Sequence, residues 1–552
     1  MKKAILKTSG MLLVVGLALT AMLFGCRHKT EPTSKAETQT ESVDPAIFKT
    51  DGNGKITGYN CPKDKLPKNL VIPAKIVDEV ITSIGERAFH DCEGLTSVSF
   101  PESLTSIGER AFFECRGLTS VSFPASLTSI GKWAFVDCRR LTSVTFPASL
   151  TSIGESAFRG CSGLTSVTFP ASLTSIGDGA FSYCGSLKNV SFPASLTSIG
   201  NSAFSYCVSL TSVTFPASLT SIDESSFAWC TGITSLDLSR CTSLTSIGDS
   251  AFFACSRLTS VDLSDCTSLT SIGGNAFNGC TGLKNVSFPA NLTSIGWAAF
   301  RDCTGLKNVS FPVSLTSIGA RAFWECTGIT SVSFPASLTS IGERAFRLCS
   351  GLTSVSFPAS LTSIGEGAFE GCGITSVSFP ASLTSIGTLA FYGCSLASVT
   401  VDVGNSTYKA VDNVVYTKDG TTLVFAACVL TSVNILPSVT SIGENAFYGF
   451  KGLTSVSFPA GLTSIGRSAF SDCKGLTSVS FPASLTSIGK WAFSACSNLT
   501  SATFADATGW AVYNDSEYEN KATDIEQSDL QNPAKAVDYL LHTYREKYWK
   551  KN

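Results

Sequence analysis

G-L-T-S-V-S-F-P-E-S-L-T-S-I-G-E-R-A-F-F-E-C-R, residues 94–116, is written with small changes seventeen times between positions 81 and 504. The isoleucine of its S-I-G step falls at 84, 107, 130, 153, 176, 199 and 222, then at 247, 272, 295, 318, 341, 364, 386, 442, 465 and 488. Most intervals are 23 residues; two of 25 flank Ile247, one of 22 precedes Ile386, and a gap of 56 precedes Ile442. A unit repeated every 20–50 residues or so implies a solenoid, propeller or array.

Within the quoted unit the apolar letters are Leu95, Val98, Phe100, Leu104, Ile107, Ala111, Phe112 and Cys115. Val98 and Phe100 alternate with Ser97 and Ser99, the period of a half-buried strand. Pro101 ends that strand because it has no N–H for a ladder. A second extended step turns at Gly108, and A-F-x-x-C closes the coil as a tight turn or helical fragment. One coil cannot bury eight apolar side chains, but stacked coils can, column upon column. Of the 37 phenylalanines, 30 occupy two columns, those of A-F and S-F-P, which makes them core. The fold expected is a β-rich repeat solenoid with coils of about 23 residues, short strands and tight turns.

Two longer units narrow the class. Ile233–Leu236–Leu238–Cys241 and Leu258–Val261–Leu263–Cys266 fit L-x-x-L-x-L-x-x-N/C, the leucine-rich-repeat pattern. The S-I-G-x-x-A-F-x-x-C core resembles the BspA-like leucine-rich repeats of host-associated bacteria, treponemes included. The resemblance covers about three quarters of the chain. Residues 405–424, N-S-T-Y-K-A-V-D-N-V-V-Y-T-K-D-G-T-T-L-V, resemble the hairpin island common in that family, near 401–425 here. Lys418-Asp419-Gly420 between β-rich runs indicates a hairpin independently.

The ends carry other signals. Lys2 and Lys3, an apolar run from Met11 to Phe24, and Gly25 describe a signal peptide over residues 1–25. Cys26 follows as in a bacterial lipobox, which implies its lipidation; residues 26–46 read as a polar tether. Residues 47–80 form an N-terminal capping segment. Its D-G-N-G-K-I string resembles the middle of a calcium loop, but Lys49 and Asn60 stand where the first carboxylate and the bidentate Glu belong, which favours a tight turn. Residues 505–552 are expected to form a C-terminal cap with a helix starting at Asn532-Pro533. Val537, Leu540, Leu541, Tyr544 and Tyr548 would share its stripe, and residues 547–551 would be its basic last turn.

The chemistry expected is that of binding. Net charge is −2 with 15% charged residues, so nothing favours nucleic acid. Three histidines form no nucleophile–base pair, and no phosphate loop is present, so neither catalytic residue, metal nor cofactor is expected. Sixteen of the 21 cysteines occupy one column, with Phe450 in the remaining coil. Because that column accepts Phe it reads as a packing position of buried free thiols, with a disulfide ladder and a metal string as the alternatives, the last without C-x-x-C spacing to support it.

Function then falls to what varies: the pair after S-I-G, the pair between A-F and C, and the residues just after C. These letters stripe one edge and include five of the seven tryptophans, Trp133, Trp229, Trp297, Trp324 and Trp491. Trp133, Trp297, Arg321, Trp324, Arg344 and Trp491 are the candidate ligand-binding residues, since Trp and Arg are enriched at interface hot spots; rim packing is the other reading of each ring. The Thr-Ser pairs form a second candidate surface, a hydroxyl lattice able to grip by avidity. The family resemblance implies a lipid-anchored protein of the bacterial outer membrane and cell surface. It also implies adhesion to host extracellular-matrix proteins such as fibronectin or fibrinogen, to other bacteria or to host receptors. An envelope or periplasmic scaffold without host ligand is the alternative.

Overall fold

The computed structural model describes residues 43–552. The signal peptide, Cys26 and most of the 26–46 tether lie outside them. Asp44 accepts from the Ala46 N–H and caps a short 3-10 turn, Pro45–Ile47, so the capping segment takes in the end of the expected tether.

Each coil adds two short strands. The S-I steps, Ser83–Ile84, Ser106–Ile107 and onward, pair in parallel with isoleucine opposite isoleucine. They extend a 16-stranded sheet from the N-terminal hairpin to Ser385–Ile386. The S-V-S steps ladder in the same register, Val98 opposite Val121. Between the ladders lie the core columns: Leu104, Ile107, Ala111, Phe112 and Cys115 are all buried. Phe112 stacks on Phe89 and Phe135 at 5.2 and 5.1 Å, and Phe100 meets its edge at 5.8 Å. Offset and edge-on aromatic contacts of this kind add stability beyond area burial. A Cβ on Gly108 would stand 2.8 Å from the Ile84 carbonyl oxygen, which is why the S-I-G corner calls for glycine.

The repeated polar letters act between coils. The N–H and the hydroxyl of Thr105 both donate to the Thr82 carbonyl, at 2.8 and 3.1 Å. Ser103 Oγ donates to the Ile81 carbonyl at 2.6 Å, and Cys115 Sγ to the Phe89 carbonyl at 3.1 Å. The same bonds recur at Thr128, Ser126 and Cys138. The threonine hydroxyls are thus committed inside the stack, and the expected hydroxyl lattice reduces to the serines beside them.

The described cysteines are all free thiols. Burial pushes Cys207 and Cys280 up to about 12, far from the thiolate that reacts. Only Cys61 and Cys428 among the described cysteines escape full burial. Brief alkylation of the native protein followed by peptide mapping should therefore label those two within residues 43–552. Label on the column cysteines would instead show coils opening on that timescale.

The stack is interrupted once. Val414–Thr417 pairs antiparallel with Tyr408–Val411 and with Thr422–Ala426, and the latter runs parallel to Ser441–Ile442. The N-terminal hairpin does the same: Phe48–Thr50 and Lys55–Tyr59 are antiparallel, and Ile56 pairs with Ile84 as Leu423 pairs with Ile442. The island is therefore a second N-terminal cap inside the chain. Val415 packs into the preceding core while Val414 and Tyr416 pack into the following one, so the hairpin divides two hydrophobic cores. This also explains Phe450. From Cys115 onward each column thiol donates to the Phe carbonyl of the preceding turn, and the coil of Ile442 has no turn paired before it. The first coil lacks one too, and there Cys92 turns to the Tyr59 hydroxyl.

At the C-terminus the expected helix is shorter than its apolar stripe. Asn532 Oδ1 caps it by accepting from the N–H groups of Ala534 and Lys535, and Pro533–Asp538 is α-helical. A π-turn, Tyr539–Thr543, follows, and Tyr548–Lys551 is a strand instead of a last helical turn. That strand pairs antiparallel with both Ser487–Ile488 and Trp510–Tyr513. The reason is Trp549: buried within a basic strand, it closes the core end together with Trp510, a function only a period of two could serve.

Candidate interaction surface on the turn edge

The variable residues sit on the A-F-x-x-C turns, whose backbone is unusual and regular. In each coil the residue before Ala and the residue before Cys lie in the left-handed region, as at Arg87 (φ 52°) and Asp91 (φ 60°). Alternate N–H groups then point along the stack: Arg87, Phe89 and Asp91 donate to Glu109, Ala111 and Phe113 of the next coil at 2.9, 2.8 and 2.6 Å. Left-handed backbone costs about 1–2 kcal/mol per non-Gly residue, offset here by these bonds. Because it recurs in every coil, the strain belongs to the architecture and marks no particular site. Trp133, Arg321, Arg344 and Trp491 all occupy the first of these positions.

Three of the candidate residues come together. Arg321 lies 5.8 Å from the Trp297 ring and 5.5 Å from Trp324. Arg301 and Arg347 cover Trp324 at 4.4 and 5.1 Å. Arg344 joins through acids: it meets Glu343 and, at 2.9 Å, Glu366, while Arg321 reaches Glu343 at 3.4 Å. Behind them Asp302 holds the Glu325 carboxyl above the usual range. Trp324 Nε1 is buried without a hydrogen-bond partner among the described residues. Trp133 and Trp491 lie on other coils, each packed by neighbouring cations, Arg110 at 4.1 Å and Lys490 at 4.2 Å. Half-buried and covered, they fit the rim-packing reading; Trp297, 45% exposed, is the free ring.

The sequence reading missed a second aromatic group. Tyr183, Tyr206 and Trp229 precede the column cysteine in three successive coils and stack at 4.6 and 5.8 Å. Arg159 closes one end of the row and Phe253 the other. Beside the row, small residues such as Ser182, Ser202 and Ser205 leave a shallow groove of about 500 Å³. The signal lies in S-Y-C, S-Y-C and A-W-C read down one column, where only Trp229 stands out by residue type.

Among the described residues no cluster of His, Cys, Asp or Glu is placed to hold a metal ion, and no helix is long and apolar enough to cross a membrane. The BspA type leucine-rich repeat region (6 copies) matches residues 68–188, 174–295, 270–397 and 421–538. The chain belongs to the BspA-type leucine-rich repeat family. No curated protein matches it. A solved leucine-rich repeat protein from Bacteroides ovatus is 33% identical, with a TM-score of 0.57, over 64% of this chain and 92% of that one. A leucine-rich cell surface protein from Faecalibacterium prausnitzii is 25% identical (TM-score 0.34; 56% and 93% covered). A leucine-rich repeat protein from Eubacterium ventriosum is 24% identical (TM-score 0.40; 58% and 89%). The BspA-type solenoid thus has its variable side chains on one edge, and on that edge two aromatic clusters rise from an otherwise uniform repeat.

Proposed function

We propose that this BspA-type repeat protein is a bacterial surface adhesin that works by binding and not by catalysis. Its turn edge engages host extracellular-matrix proteins, fibronectin or fibrinogen among them, or the surfaces of neighbouring cells. Lipidation at Cys26 would anchor it to the outer membrane. The observation that supports the reading is the Trp297–Arg321–Trp324 cluster, an exposed aromatic ring bordered by cations on the edge where the repeat varies. Aromatic and arginine side chains of this kind dominate interface energies.

Binding to immobilised fibronectin and fibrinogen tests it, with an unrelated solenoid as control. Saturable binding above control is expected. Trp297→Ala with Arg321→Ser should weaken it at least ten-fold, about 1.4 kcal/mol, while melting stays nearly unchanged, because serine already occupies the Arg321 position in other coils, as at Ser156 and Ser202. Equal affinity in the double variant would remove the cluster as the contact. Absence of binding to either protein would remove these ligands.

A further inference from the structure

The interruption in the stack leaves a slot with unused backbone groups on both walls. Every other turn that has a coil after it gives that coil three N–H groups; at the end of the first block the N–H groups of Leu389, Phe391 and Gly393 have no partner among the described residues. On the opposite wall the carbonyls of Glu444, Ala446 and Tyr448 accept nothing, whereas their counterparts Asn201, Ala203 and Ser205 accept from the coil before them. Between the walls is a cavity of about 450 Å³ floored by Phe425 and Cys428, within the range of about 300–1,000 Å³ usual for ligand sites. The turn backbones stand apart: the Tyr392 ring lies against Gly449, where a Cβ would come 2.5 Å from it, and meets Tyr448 edge-on at 4.9 Å.

We infer that this slot is a peptide-binding site that takes one A-F-x-x-C-type turn from another polypeptide chain. The chemistry selects that occupant. Donors at positions i, i+2 and i+4 face acceptors at the same spacing, which matches a single strand of polypeptide hydrogen-bonded on both edges, the logic of β-strand addition applied to a turn. Each turn elsewhere in the stack satisfies this arrangement with alternating left-handed residues, so the incoming segment needs glycine or another residue tolerant of positive φ at two places. Phe425 stacks on Phe391 at 6.1 Å in the place of the next coil's ring, so the aromatic side chain of the incoming turn would seat on the far side of Phe425. The incoming turn would take the space that the Tyr392 ring holds against Gly449.

The test uses the full chain and a labelled synthetic peptide carrying residues 364–374 with Cys372→Ser, read by fluorescence anisotropy and by amide hydrogen exchange. Saturable binding is expected, with exchange at Leu389, Phe391 and Gly393 slowed at least ten-fold. Phe369→Ala in the peptide should abolish binding. In the protein, Tyr392→Ser, a residue found at the same position in Ser182 and Ser205, should tighten it several-fold. Asn445→Trp should weaken it at least ten-fold by filling the slot; Trp133 and Trp491 already occupy that left-handed position in other coils, so the variant is compatible with folding. The inference is overturned by lack of saturable binding, by binding indifferent to both protein variants, or by protection at other amides. Amides of Leu389, Phe391 and Gly393 as slow in the free protein as those of Gly367, Phe369 and Gly371 would also overturn it, since the slot would then be closed.

Discussion

Phe252→Ala is expected to destabilise the solenoid by about 3–5 kcal/mol, the range for emptying a fully buried phenylalanine site. Phe252 is fully buried and stacks on Phe227 at 5.5 Å and on Phe277 at 5.3 Å. Its neighbours cannot collapse into the void, because each ring is held by the ring beyond it. In a nearest-neighbour array a defect at one coil weakens both interfaces that coil shares. Urea denaturation followed by circular dichroism should therefore show more than a lowered midpoint. The single transition should broaden as coils on either side of Ile247 unfold at different denaturant concentrations. Phe252→Leu, nearer in volume, should cost clearly less and keep the transition sharp. A sharp transition with an unshifted midpoint in Phe252→Ala would mean that the Phe column is not what couples the coils.

Asn405→Ala should be nearly as severe, about 3–5 kcal/mol, but confined to the island. Asn405 is fully buried, and its side chain satisfies four backbone groups. The amide nitrogen donates to the Pro380 and Leu383 carbonyls at 2.8 and 2.9 Å. The amide oxygen accepts from the N–H groups of Thr407 and Tyr408 at 2.8 and 2.7 Å. Each buried group left unpaired costs about 1–3 kcal/mol, and partial relaxation keeps the total below the simple sum. Since Asn405 ties the start of the hairpin to the last coil of the first block, its loss should free residues 401–407 to proteases. The coils before Pro380 should keep their protection. Limited proteolysis with mass mapping reads this directly; a cleavage pattern identical to wild type would show that the hairpin is held by its apolar contacts alone.

The contrast between these two residues shows what a single sequence yields. Phe252 is legible because a column repeated through the chain shows its own burial, and the Ile register by itself locates the strand of each coil. Asn405 is not, because its four partners come from the coil before it and from its own turn, and no periodicity marks a bond made once. The same holds for Cys115, whose column is visible but whose use of the Phe89 carbonyl depends on how the coils stack. Phe450 looks like proof of a pure packing position; it marks instead the one later coil with no carbonyl to receive a thiol. Trp549 reverses the reading of the C-terminus, since residues 547–551 look basic to a helix rule and alternating to a strand rule. On the turn edge, Trp297, Arg321 and Trp324 stand out by residue type, whereas Tyr183 and Tyr206 emerge only when the letters are read across coils.

The direction of the inter-coil bonds has a further consequence. On the turns, N–H groups of each coil point toward the C-terminal neighbour, as Phe89 does to Ala111. The hydroxyls of Thr105 and Ser103 and the thiol of Cys115 point the opposite way, toward the N-terminal neighbour. Aligned peptide dipoles sum along a helix into charged ends; here the N–H groups of Thr105 and Gly108, which donate backward to Thr82 and Ile84, oppose the turns together with those side chains, coil by coil. Growth of the array by duplication of a unit then adds little axial field, and the electrostatic cost of the last coil does not rise with the number already stacked.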